Sequence, residues 1–405
     1  MTNKRPEIQF SGFNHSWEQR KLGEVVDITM GQSPNGENYT GNPDDHILVQ
    51  GNADIKNGWV VPRVWTTQVT KSADKGDILL SVRAPVGDVG KTQYDVVLGR
   101  GVAGIKGNEF IYQSLNRMKS DGFWTRYTSG STFESINSNA LKEAPINVPG
   151  EDEQTKIGEY FKQLDDIITL HQLEIEKVVN LKKAMLQKMF PRNGNCVPEV
   201  RFEGFTGDWE QRKLGDCVDY IKGYAFKSEE YRSDGIRIVR VSDLSSNEIK
   251  SDNEKIFIDR ESEKEYQRYK LNVGDIIITT VGSKAELRES AVGRPIIVNK
   301  DIDGLLNQNL VKITPINEYD SNFIYLNLLS VKYIDYIASI ERGNANQANI
   351  ALNDLWQYTI YLTSNMEQQK IGSFFKQLDD TITLYQERLN KFKQIKKSMF
   401  IKMFI

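Results

Sequence analysis

Apolar residues recur at alternating steps of four and three through the middle of the chain: Ile157, Phe161, Leu164, Ile168, then, past His171, Ile175, Val178, and past Lys182, Met185 and Met189. A 3.5-residue period marks the contact line of two packed helices, so the spacing predicts a single long helix over 151–191. The pattern returns at the end of the chain as Ile371, Phe375, Leu378, Ile382, Tyr385, Leu389, Phe392, Lys396, Met399 and Met403, predicting a second long helix over 364–405. Set without a gap against 365–404, the stretch 151–190 is identical at more than half its positions, including Lys-Ile-Gly at 156–158 and 370–372 and Phe-Lys-Gln-Leu-Asp-Asp at 161–166 and 375–380. Each helix begins acidic and ends basic, which suits the helix dipole. Parallel pairing would set like charge beside like, so the charges predict an antiparallel pair within one chain. Lys182 and Lys396 on the contact line predict that the pair splays at its basic ends or meets a further helix there.

A second repeat precedes each intervening region. Pro6-Glu7-Ile8-Gln9-Phe10-Ser11-Gly12-Phe13 and Trp17-Glu18-Gln19-Arg20-Lys21-Leu22-Gly23 return as Pro198-Glu199-Val200-Arg201-Phe202-Glu203-Gly204-Phe205 and Trp209-Glu210-Gln211-Arg212-Lys213-Leu214-Gly215. Short apolar runs opened by Gly-Asp turns predict strands at 77–82 and 275–280. Further strands are expected at 59–64, 96–105 and 144–148 in the first region, and at 236–241, 295–298, 310–313 and 356–362 in the second. Helices are expected to start near Phe110 and Phe323. The organisation expected is a mixed domain over 1–150, a long helix over 151–191, a second mixed domain over 192–363 and a long helix over 364–405. The fold class is α+β: two globular mixed α/β domains joined by two long antiparallel coiled-coil helices, in a pseudo-two-fold internal repeat. The repeat offset grows from 192 at the lead-in to 198 at the Gly-Asp turn, 213 at Phe-Ile-Tyr and 214 at the long helix. The framework is thus duplicated and the surface between is not, as expected of two modules that read different ligands.

Composition narrows the function by what it lacks. The three histidines, His15, His46 and His171, are scattered, and Cys196 and Cys217 form no close-spaced pair, so neither a metal centre nor a disulfide framework is expected. No phosphate-binding glycine loop occurs, and Asn42-Pro43-Asp44 lacks the second proline and aromatic ring of an amino-methyltransferase motif, so it reads as a turn. Residues 1–17 carry no signal-like apolar run and no uncharged span is long enough to cross a membrane, so a cytoplasmic protein is expected. The formal charge is −3, a poor sign for a nucleic-acid binder, and residues 28–149 carry 12 Lys and Arg against 12 Asp and Glu. Any grip on DNA must therefore rest on locally placed basic groups and on partner subunits.

The loops are rich in the side chains that hydrogen-bond base edges, where Arg suits guanine and Asn or Gln suits adenine. The candidates in the first region are Gln32, Ser33, Asn35, Arg83, Arg100, Arg126, Tyr127, Ser129, Ser131 and Thr132. In the second they are Lys227, Arg240, Ser283, Lys284, Arg288, Asn307, Gln308, Asn309, Arg342, Asn344, Asn346 and Gln347, with the run 342–347 the foremost.

The doubled lead-in, the doubled Glu-Gln-x-Lys-Ile-Gly helix opening with its Leu-Asp-Asp, and the two unlike regions between them resemble the DNA-specificity subunit of type I restriction-modification enzymes. The resemblance covers the whole chain and is architectural. It implies a non-catalytic subunit whose two target-recognition domains each read half of an asymmetric bipartite DNA sequence, with the helix pair as spacer. It further implies docking of two adenine methyltransferase (M) subunits that use S-adenosylmethionine, and restriction (R) subunits driven by ATP and Mg. The rivals are a fused nuclease-methyltransferase, against which the missing catalytic motifs argue, and a coiled-coil adaptor that binds proteins.

Overall fold

The computed structural model describes residues 5–127, 135–192, 194–245, 248–285, 291–344 and 347–405. The chain divides into two compact units, Met1–Glu174 with Tyr385–Ile405, and Ile175–Leu384. The long helices are Glu151–Lys188 and Asn365–Met403, and the unit borders fall within both.

Each unit holds the start of one long helix beside the end of the other. In the first unit Phe161 stacks on Phe400 at 4.6 Å between ring centroids, and His171 stacks on Phe392 at 5.6 Å, so the residue numbers run in opposite directions. Ile157, Phe161 and Leu164 share a core with Phe392, Met399, Phe400, Met403 and Phe404. In the second unit Met185, Leu186, Met189 and Phe190 share a core with Ile371, Phe374, Phe375 and Leu378. The helices are antiparallel, as the charges predict, and every predicted contact-line residue is buried or half-buried. Of the two outcomes expected at the basic ends, the pair does not splay but meets a further helix: Phe404 stacks on Phe110 of the helix Glu109–Ser120 at 5.4 Å, and Phe190 lies 5.5 Å from Phe323 of the helix Ser321–Asn327. Lys396 Nζ meets Asp165 Oδ1 at 2.5 Å and Lys182 Nζ meets Asp379 Oδ1 at 2.5 Å. Each lysine on the contact line is neutralised by the first carboxylate of the facing Leu-Asp-Asp, which removes the charge that would force the helices apart.

The domain portions share one plan. In the first unit four antiparallel strands of a six-stranded sheet run in the order Asp27–Met30, Val102–Lys106, Ile78–Ser81, Val89–Lys91. The second repeats it as Val218–Lys222, Leu310–Pro315, Ile276–Thr279, Pro295–Ile297. A parallel pair lies beside each: His46–Val49 with Val96–Leu98, and Ile236–Val239 with Gly304–Leu306. These central strands are continuously apolar because both faces are covered, as with Ile276–Ile278, which are fully buried. The strand expected at 96–105 is two strands, since the backbone turns at 99–101. That expected at 59–64 is only Trp59–Val60, stopped before Pro62, and that at 356–362 begins at Thr359. Among the described residues no single helix is long and apolar enough to cross a membrane.

The two sequence repeats touch each other, which explains why both recur. The lead-in strand Glu18–Lys21 pairs with Pro145–Val148, and Glu210–Lys213 pairs with Thr359–Leu362, just ahead of each long helix. Gln9 Nε2 then donates to the buried Glu153 at 3.2 Å, and its repeat equivalent Arg201 clamps Glu367 through Nε at 2.7 Å and Nη2 at 2.8 Å. The next residue ties the helix to the domain. Gln154 accepts from Asn108 Nδ2 at 2.9 Å and Gln368 from the backbone of Asp320 at 3.2 Å, and Asn108 and Asp320 are themselves the N-caps of Glu109–Ser120 and Ser321–Asn327.

The glycine of Lys-Ile-Gly permits this contact. A β-carbon on Gly158 would stand 3.0 Å from the Phe110 nitrogen, and one on Gly372 would stand 2.3 Å from Asp320 Oδ1. Gly372→Ala should therefore destabilise the protein by about 1–3 kcal/mol, although alanine favours the helix by about 1 kcal/mol. A raised thermal unfolding midpoint for this variant would contradict the packing described.

Candidate nucleic-acid interface

In the first unit four loops converge beyond the sheet ends. Gly31 donates its N–H to Val102 O and Gln32 to Leu98 O, which pins the start of the Gln32–Asn35 segment beside the strand turn at 99–101. The segment 50–54 is closed by Asp54, 5% exposed, whose Oδ2 accepts from the Gln50 N–H at 2.7 Å. Arg83 follows the strand Ile78–Ser81, and the Arg100 N–H donates to Ser33 Oγ at 3.2 Å. Between them lies an open cleft of about 460 Å³ lined by Ser33, Gln50, Gly51, Asn52, Arg83, Ala84, Arg100 and Gly101. Among the described residues two guanidinium groups and no carboxylate line it, which suits an electron-rich ligand such as a phosphate or the acceptor edge of a base.

Three of the expected residues, Ser33, Arg83 and Arg100, thus share one cleft. Gln32 and Asn35 are exposed nearby but do not line it, and Asn35 is held through its N–H to Gln68 Oε1 at 2.8 Å. Arg126 and Tyr127 close the short turn Phe123–Tyr127. Ser129, Ser131 and Thr132 lie outside the described residues. Gln50 and Asn52 line the cleft but were absent from the sequence candidates. The signal that could have found Gln50 is its place directly after the apolar strand His46–Val49, as Arg240 directly follows Ile236–Val239.

The second unit builds the same loops with other side chains. Arg240 lies on a short turn closed by Asp243, which is fully buried and grips the guanidinium through Nε and Nη2, both at 3.1 Å. That hydrogen bond raises the Arg240 pKa above its ordinary value, and a further N–H goes to Glu254 O at 3.1 Å. Gln308 is exposed at the strand turn, whereas Asn307 beside it is buried, 8% exposed, and Asn309 is half-buried. Lys227 is exposed, Lys284 half-buried and Ser283 buried. Arg342 is exposed and pairs with Asp354 at 2.7 Å on the edge of a ribbon formed by Val281–Gly282, Gln347–Asn349 and Arg342–Asn344. Gln347 is exposed on the same ribbon, Asn344 lies on its strand, and Arg288 and Asn346 lie outside the described residues.

Groups of three or more His, Cys, Asp or Glu able to hold a metal do not occur among the described residues. Burial pushes the Cys217 thiol up to about 11, so it is an inert packing residue at neutral pH. The arrangement defines a class: a doubled binding scaffold with constant framework contacts and unlike polar loops. The family model described as the type I restriction modification DNA specificity domain matches it twice, over residues 14–181 and 206–394. The chain belongs to that family, whose members are recognition components rather than catalytic ones.

Several relatives are named as specificity subunits of type I restriction enzymes. The MjaX subunit of Methanocaldococcus jannaschii is 34% identical over 179 residues, 42% of this chain and 41% of that protein. The MjaIX subunit of the same organism is 22% identical over 418 residues, covering 96% of this chain and 92% of its own. The chain therefore spans about two fifths of the first relative's length and nearly all of the second's. Among solved structures, the S subunit of a type I restriction-modification system from M. genitalium superposes with a TM-score of 0.68 at 16% identity, over 99% of both chains. A chain from a study of complex assembly and conformational transition of the type I R-M system gives a TM-score of 0.50 at 17% identity, covering 96% of this chain and 97% of its own. At those identities the likeness is one of fold.

Proposed function

We propose that this chain is the DNA-reading subunit of a type I restriction-modification complex, in which the domains 1–150 and 192–363 each recognise one half of an asymmetric bipartite target. The long helices 151–191 and 364–405 set the spacer between the halves and dock two adenine methyltransferase subunits. S-adenosylmethionine belongs to those subunits, and ATP with Mg to restriction subunits, so this chain needs no cofactor of its own. Its place is the cytoplasm, with the DNA.

The observation that carries this reading is the contrast between constant and changing parts. The family model matches twice, the framework contacts at Glu153/Glu367 and Gln154/Gln368 recur, and the loops around Gln50 and Arg240 differ in their base-complementary side chains. Duplicated scaffolds with unlike loops are what two readers of unlike sequences require. Phosphate contacts from the partners would supply the electrostatic grip that a chain of formal charge −3 lacks.

Methylome sequencing of a host carrying this chain with its methyltransferase and restriction partners tests the reading. The expected result is one bipartite motif with two unlike halves, methylated on adenine. Inserting a heptad into each long helix, about 10 Å of added rise, should lengthen its spacer by about three base pairs. A contiguous motif, or none, contradicts the assignment; an unchanged spacer contradicts the ruler role alone.

A further inference from the structure

The strand turn at 99–101 in the first unit and that at 307–309 in the second are the same backbone device. Gly99 N–H donates to Val49 O at 2.8 Å, as Asn307 N–H does to Val239 O at 3.1 Å. Gly101 O accepts from the Val82 N–H at 2.8 Å, as Asn309 O does from Thr280 at 2.9 Å. Each turn closes on itself, Val102 N–H to Gly99 O at 3.2 Å and Leu310 N–H to Asn307 O at 3.0 Å. The facing loop presses on the same carbonyl in both units. A β-carbon on Gly31 would stand 2.1 Å from Gly99 O, and one on Gly223 would stand 2.0 Å from Asn307 O, so only glycine fits either place.

The middle residue is therefore held on an equally fixed backbone in both units, and it is exposed in both: Arg100 in the first, Gln308 in the second. A constant mount that carries a guanidinium in one copy and a carboxamide in the other differs in charge and in the hydrogen-bonding pattern it presents. Arginine presents two donors, matching guanine O6 and N7. Glutamine presents one donor and one acceptor, matching adenine N7 and N6–H. The flanking glycines leave Arg100 unobstructed in a cleft that no carboxylate of the described residues lines.

We propose that positions 100 and 308 are one reading position used twice, with Arg100 selecting a guanine in the first half-site and Gln308 an adenine in the second. This rests on the DNA-reading function above and adds which residue reads which base. The test uses the complete complex with its methyltransferase partner, carrying R100Q or Q308R, and compares the methylated motif with that of the unaltered complex. R100Q should replace or relax one guanine in one half-site and leave the other half intact, and Q308R should do the reciprocal to one adenine.

Competition binding keeps the proposal open to refutation where a variant ceases to methylate. Oligonucleotides with each of the four bases at the guanine positions of the first half-site should show a preference of roughly 5- to 150-fold lost in R100Q at one position. Motifs unchanged in both variants overturn the proposal while leaving the reading function standing. Equal weakening for all four bases also overturns it, because that marks a phosphate contact. An unaltered complex without any bipartite motif overturns the reading function itself.

Discussion

Replacing Arg201 with alanine is expected to lower the stability of the second unit by about 3–5 kcal/mol, whereas Gln9→Ala at the equivalent place in the first should lower it by only about 1 kcal/mol. Glu367 has no exposed surface, and Arg201 holds both its oxygens, Oε1 at 2.7 Å and Oε2 at 2.8 Å. Removing the guanidinium leaves an ionised carboxylate in a place water does not reach, with the Thr363 hydroxyl as the remaining donor shown by the structure. The penalty is the desolvation of an unpaired charge, which exceeds the worth of the pair itself. Glu153, by contrast, meets the neutral amide of Gln9 at 3.2 Å, a longer bond with no charge on the donor. Arg201 also ties its own lead-in loop, donating to Gly207 O at 2.7 Å and Thr206 O at 3.2 Å. Urea unfolding of the two variants measures the difference, and equal shifts in midpoint would show that the ion pair is not what fastens this lead-in to its helix.

How much of this was legible in the sequence depended on whether a feature is local. The contact line at Ile157, Phe161 and Leu164 needs only a period, and the antiparallel sense needs only the order of charges along each helix. The fate of Lys182 and Lys396 needed the partner. Asp379 and Asp165 reach them from the facing helix, and no spacing within one helix reports that. The turn at 99–101 was hidden because Val96–Leu98 and Val102–Ile105 are both apolar and fully buried, so they read as one run. The candidate interface was legible as a set of residue types but not as a place. Ser33, Arg83 and Arg100 are far apart in the chain, and only the sheet order brings them to one cleft with Gln50. Burial separates two neighbours that look alike in sequence: Gln308 is exposed, whereas Asn307 is packed beneath the loop that carries Tyr224. Arg240 has most of its guanidinium donors committed to Asp243 and Glu254, so fewer remain free than its residue type suggests.

The account turns on the claim that each unit carries its own reader on a shared framework, so the reader should be transferable. The structurally equivalent stretches are 27–136 and 219–350, because both begin at the first sheet strand and both end one residue past the β-bridge or ribbon strand that pairs with the loop after the third. The framework contacts they leave behind, Gln9 to Glu153 and Arg201 to Glu367, lie outside the exchanged segments. The most direct measurement is methylome sequencing of a host in which 219–350 has been replaced by a second copy of 27–136, alongside the unaltered chain and the same partners. With two identical readers on antiparallel helices, the methylated motif should become a palindrome, the first half-site followed after the spacer by its own reverse complement. A motif that still contains the original second half would contradict the account, since nothing left in the chain could then have read it.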